Sequence, residues 1–214
     1  RNIPVWSPLV AGLATTFFMV VFSNLDGGVQ VLQGAAGNFD FWSSTRMMPP
    51  DPPGFEITEF PFFTFLFADL HAHMLSMPLG LLALGLSLNT VLLSRPGEEA
   101  AWFFASLGLL ALTVGGLWAT NAWDFPTYFG IGVVALSLGQ YLRGRRVASS
   151  TLNRAVGVVV MFGTLAVLFW LPYYLRLENS FEGIGITPAR TNLWQYLAIH
   201  GMFVFLVLTL LITD

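Results

Sequence analysis

Residues 100–119 read AAWFFASLGLLALTVGGLWA, twenty positions without an ionisable side chain. About 30 Å of hydrocarbon needs about 20 helical residues at 1.5 Å each, so this run predicts a membrane helix and sets the scale for the rest of the chain. Further apolar runs at 6–23, 74–94, 126–142, 155–172 and 197–212 bring the expected total to about six spans. The fourth of the six contains TYFGIGVVALSLGQYL, whose glycines allow the close backbone approach common at helix contacts in membranes.

Composition agrees with this reading. The 214 residues are 55% hydrophobic and 10% charged, whereas soluble domains carry about a quarter charged residues. The expected fold is therefore all-α: a polytopic transmembrane helix bundle forming a single domain over 1–214, with external loops at 24–73 and 173–196, the first carrying a short helix. Arg1 stands where Met would open a chain and an apolar run reaches Asp214, so the sequence reads as part of a longer polypeptide. A net charge of -3 excludes the basic balance of a nucleic-acid binder. With no cysteine, disulfides, thiolate nucleophiles and iron–sulfur clusters are excluded, and any metal must be held by His, Asp or Glu.

Orientation follows from arginine, the chain having no lysine. RGRRVASSTLNR, 143–154, places Arg143, Arg145, Arg146 and Arg154 in one short loop, which the positive-inside rule assigns to the cytoplasm of a multi-pass protein in the cell's inner (plasma) membrane. Counting spans from there puts 24–73, 120–125 and 173–196 on the external side, together with nine of the twelve acidic residues. Trp118, Trp123, Tyr128, Trp170, Tyr173, Tyr174, Trp194 and Tyr196 gather near the same boundary, as an interfacial belt of amphipathic rings does.

The chemistry-bearing residues fall on that side. In EFPFFTFLFADLHAHMLSMP, 59–78, Pro61 could open a helix, on which Asp69 and His73 would share a face and could grip a cation, or Asp69 could orient His73 as a base. In an extended segment His71 and His73 would share a face instead and could chelate together. Oxygen ligands favour Mg²⁺ or Mn²⁺, and a histidine pair favours zinc. TNAWDFPTY, 120–128, brings Asn121 and Asp124 to the same side, although Asp124 with Pro126 behind it also reads as a plain helix start. Arg46, Arg176 and Arg190, beside interfacial aromatics, suit a lipid phosphate, because a guanidinium forks onto two oxygens. No Walker or Rossmann pattern is present.

ITEFPFFTFLFADLHAHMLSMP and TNAWDFPTY, with FDFWSSTR at 39–46 before them and LPYY at 171–174 after them, resemble the YYY-type multi-pass membrane proteins of Chloroflexi and archaea. Those proteins in turn are similar to the GT-C class of integral membrane glycosyltransferases, which move a sugar from a polyprenyl-phosphate carrier at the external face. The upstream tyrosine run that names the family is not in this sequence. The resemblance implies a fold and a reaction class without assigning catalytic residues; on the residues themselves the leading expectation is a glycosyltransferase in which Asp69 or Asp124 activates the acceptor or holds a divalent cation, and His73 assists. Asn121, Trp123 and Tyr173 would line the substrate site, and Arg176 or Arg190 would hold the carrier phosphate. Two rivals stand beside it. One is a non-catalytic subunit of a larger respiratory or photosynthetic membrane complex, with His71 and His73 near a pigment metal. The other is a transporter of lipid-linked sugar, disfavoured by spans almost free of ionisable groups.

Overall fold

The computed structural model describes residues 6–20, 30, 32–34, 37–40, 42, 64–65, 70–94, 99–178 and 193–213. All the regular structure among them is helical: α1 (Trp6–Val20), α2 (Ala72–Leu93), α3 (Ala100–Thr120), α4 (Asp124–Gly144), α5 (Ser149–Phe169), the single turn α6 (Leu171–Tyr174) and α7 (Leu193–Thr213). The chain divides into two compact units, Leu70–Ser180, and Arg1–Asp69 together with Phe181–Asp214.

Six long helices match the six apolar runs. By length and composition, α2, α3 and α5 are apolar enough to cross a membrane, while α1 and α7 contain shorter apolar stretches, Ser7–Phe17 and Phe203–Ile212. Helix α4 is as long but less apolar, because Asp124, Gln140, Arg143 and four glycines dilute its hydropathy. It is nevertheless packed as a full member of the bundle.

Within Leu70–Ser180, α2 packs on α3 and α4, α5 packs on the same two, and α3 touches α4 across the middle. Short connections reverse the chain at each step, so the start of α2, the end of α3, the start of α4 and the end of α5 share one end of the bundle. The arginine loop closes the other. Helix α3 is the centre: 56% of its apolar window is buried, against 33% for α2 and 11% for α5. Leu107, Leu110, Ala111 and Val114 of α3 meet Ala83 of α2, Leu136 of α4 and Phe162 of α5 in one apolar core.

The close approach has a sequence cause. Helix α2 buries Ser76, Gly80, Ala83, Ser87 and Thr90, and Ser94 follows as its C-cap, a stripe of small residues spaced four, three, four, three, four. Such small residues bring helices together where hydrophobic contrast with lipid cannot. At Gly80 a Cβ would strike the Tyr128 hydroxyl of α4, and at Gly115 it would strike the Ala166 carbonyl of α5, so neither position has room for a side chain. Larger apolar side chains such as Leu81, Leu88, Val134 and Val160 point outward, as a lipid-facing surface requires.

Candidate functional site

The sequence-predicted external segments in Leu70–Ser180 do come to one end of the bundle. Helix α2 begins at Ala72, with His71 as N-cap in an extended conformation (φ -68°, ψ 146°) and its carbonyl accepting from the Met74 and Leu75 amides. Leu70 and His71 are not helical, and Asp69, the expected partner of His73, lies outside the described residues. The extended alternative describes His71, whose ring lies 5.4 Å from that of His73, tilted by 52°. Pro78 has no amide to offer the Met74 carbonyl, which loosens this first part of α2.

Asp124 opens α4, but its side chain does not cap that helix; the N-cap position is Trp123, without a side-chain capping bond. Instead Asp124 Oδ2 accepts from the Ser76 hydroxyl of α2 at 2.5 Å and from Asn121 Nδ2 at 3.0 Å. Ser76 Oγ also lies 2.8 Å from the His73 carbonyl, and Ser76 is 2% exposed. The carboxylate is thus tied to two helices through a single oxygen, while Oδ1 accepts no hydrogen bond among the described residues. A carboxylate at the start of a helix is also favoured by the helix dipole.

An aromatic chain runs from the core to this end. Phe162 stacks on Phe129 at 5.0 Å, Phe129 on Phe125 at 5.5 Å, and Phe125 meets Trp118 edge-on at 5.1 Å. Trp118 then meets Tyr174 at 6.5 Å, and Tyr173 bridges Tyr174 and Trp170. The polar ends of two of these rings pin α3: Trp170 Nε1 donates to the Leu112 carbonyl at 2.9 Å and the Tyr174 hydroxyl to the Gly115 carbonyl at 3.1 Å. Burial, and then Tyr173 beside it, hold the Tyr174 hydroxyl above the ordinary tyrosine range, so it remains a donor.

Of the residues singled out in the sequence, Asn121 and Asp124 are in direct contact, and His71, His73 and Tyr173 lie at the same end. Trp123 is 76% exposed. Arg176 is exposed just beyond α6, its amide bonded to the Tyr173 carbonyl. Asp69, Arg46 and Arg190 lie outside the described residues. Among the described residues no three His, Asp or Glu side chains gather as metal ligands. Ser76 was not singled out in the sequence; the four-three spacing of small residues that begins with it was the available signal.

One family model, described as an uncharacterized membrane protein (DUF2298), matches residues 1–214. The chain belongs to this family. No curated protein and no solved structure matches it. Membership in DUF2298 agrees with the apolar helices, and establishes a membrane protein.

Proposed function

We propose that this DUF2298 protein is a membrane-embedded transferase of GT-C type, moving a sugar from a polyprenyl-phosphate donor to an acceptor hydroxyl at the Asp124 end of the bundle. The supporting observation is the carboxylate held through one oxygen by Ser76 and Asn121, with its second oxygen left open. A general base needs that arrangement: fixed in place, yet able to accept the acceptor's proton. In the proposed reaction the acceptor oxygen attacks the anomeric carbon, its proton passes to Asp124 Oδ1, and the bond from that carbon to the carrier phosphate breaks. In this proposal Arg176, exposed just after Tyr173 and Tyr174, takes the departing phosphate on its guanidinium. The side facing the cell exterior, six membrane spans and the likeness to GT-C enzymes belong to this proposal.

The test is transfer of labelled sugar from a polyprenyl-phosphate donor by the full chain in liposomes, wild type against Asp124→Asn. Asparagine keeps the shape and can still accept from Ser76, but cannot take a proton. A loss of about 10²-fold or more is expected, with helicity retained. Equal transfer by both proteins would remove Asp124 from the chemistry. Pigment that co-purifies with the wild type and is lost in His71→Ala would instead favour a structural subunit of a larger complex.

A further inference from the structure

The opposite end of the bundle carries a different kind of feature. An apolar groove of about 360 Å³ runs between α4 and α5, lined by Val133, Ser137, Tyr141, Val147, Thr151 and Val156 among others. At its mouth the chain turns through Arg145, the described non-glycine residue with a positive φ (50°), whose amide bonds to the carbonyl of groove-lining Tyr141 at 2.7 Å. Arg143, Arg145, Arg146 and Arg154 are all exposed around that turn. Arg154 reaches back to within 3.3 Å of the Thr151 hydroxyl, which lines the groove. The sequence from 125 to 177 contains no Asp or Glu, and among the described residues none of the four arginines forms an ion pair.

We propose that this groove and its arginine turn form a binding site for an anionic phospholipid, with an acyl chain along α4 and α5 and the headgroup phosphate on the arginines. Two complementary parts select that occupant. The groove wall offers almost nothing polar, so it takes hydrocarbon, and the mouth holds four positive charges with no ion-pair partner among the described residues, so it takes an anion. A zwitterionic lipid fills the first part without neutralising the second, and a free phosphate does the reverse. Guanidinium groups at a bilayer surface attract anionic lipid by Coulomb energy and by forked hydrogen bonds to phosphate oxygens. This site is independent of the carboxylate at the other end and of any transferase activity.

The experiment reconstitutes the full chain into nanodiscs of equimolar phosphatidylcholine and phosphatidylglycerol, then counts retained lipid by native mass spectrometry after transfer to detergent. Wild type is expected to retain phosphatidylglycerol roughly tenfold over phosphatidylcholine, given the attraction of several arginines. The fourfold Arg→Gln variant at 143, 145, 146 and 154 should lose that preference, and the fourfold Arg→Lys variant should keep most of it. Ala155→Phe, which fills the groove wall and leaves the arginines in place, should lower retention of both lipids. Since the Gln variant also removes a topology signal, Ala155→Phe, at a groove-lining residue, decides the matter alone if that variant fails to insert. Equal retention of both lipids by wild type would overturn the proposal. So would unaltered retention in Ala155→Phe, or displacement of phosphatidylglycerol by millimolar inorganic phosphate, which would mark a free-anion site.

Discussion

The two ends of the Leu70–Ser180 bundle are built on opposite principles. At the Asp124 end the polar groups turn inward and bind one another: Ser76 and Asn121 hold the carboxylate, and Trp170 and Tyr174 hold α3 carbonyls. At the Arg145 end the charges turn outward and four arginines stand exposed without ion pairs among the described residues. A buried polar group in a membrane must find a partner within the protein, because lipid offers none. An exposed cation at the boundary finds water and lipid phosphate instead. One end is therefore sensitive to single side-chain changes that the other tolerates, and substitutions at matched positions measure the difference.

The sharpest contrast is between two glycines. At Gly115 a Cβ meets the backbone carbonyl of Ala166 and, at 2.7 Å, the Trp170 ring that is itself hydrogen-bonded to α3. Neither can move without parting α3 from α5. At Gly139, near the arginine end, a Cβ meets only Ser94 side-chain atoms closely, Oγ at 2.5 Å and Cβ at 3.0 Å, and the nearest backbone atom, the Thr90 carbonyl oxygen, lies at an ordinary 3.4 Å. Gly115→Ala should cost about 2–3 kcal/mol through overpacking, after allowing for the roughly 1 kcal/mol that Ala returns as a better helix former. Gly139→Ala should cost less than about 1 kcal/mol on the same basis. Unfolding of both variants in mixed detergent micelles would read the difference, and equal costs would break the contrast between the ends.

A smaller effect is expected for Ser76→Ala. It removes one of two donors to Asp124 and leaves the carboxylate in a part-buried setting with Asn121 alone. Hydrogen bonds within membrane proteins average about 0.6 kcal/mol, but a charged acceptor raises the value to about 1.5–3 kcal/mol, so a loss near 1–2 kcal/mol is expected. Asn89→Ala, which breaks the 2.6 Å bond from Asn89 Nδ2 to Ser106 Oγ between α2 and α3, provides the neutral control. A Ser76 cost no larger than the Asn89 cost would mean that the carboxylate gains nothing special from the serine.

Much of this contrast could be read in the sequence, and some could not. Apolar run length located the six long helices among the described residues, three of them long and apolar enough to cross a membrane, because hydrocarbon thickness sets the length of a spanning helix. The gathering of His71, His73, Asn121, Asp124 and Tyr173 at one end followed from counting reversals. The partnership of Ser76 with Asp124 did not, since it joins residues 48 apart and depends on the rotation of two helices about their axes. Hydropathy is blind to that rotation; the four-three spacing of Ser76, Gly80, Ala83, Ser87 and Thr90 is what encodes it. Tyrosines and tryptophans near the boundary read as a belt, which accounts for exposed Trp123. It does not foretell that Trp118, Trp170, Tyr173 and Tyr174 join in a chain ending at Phe162, because ring contacts between α3, α4 and α5 follow from tertiary packing.

The finest probe of the inward-turned end is Tyr174→Phe. It deletes the hydroxyl that donates to Gly115 and leaves the ring against Trp118, so only the hydrogen bond is lost, worth about 0.5–1.5 kcal/mol. The pH dependence separates that bond from ring packing. Burial first, and Tyr173 second, raise the folded-state value of the Tyr174 hydroxyl above that of the unfolded chain. A group raised in this way contributes stability that is fully present below the unfolded value, about 10 for tyrosine, and is lost as pH rises through the folded value. The stability gap between wild type and Tyr174→Phe should therefore stay constant from neutral pH to about 10 and narrow above it. A gap that does not narrow above about 10 would show that the hydroxyl is held no more tightly in the folded chain than in water, and that this end of the bundle is as open as the arginine end.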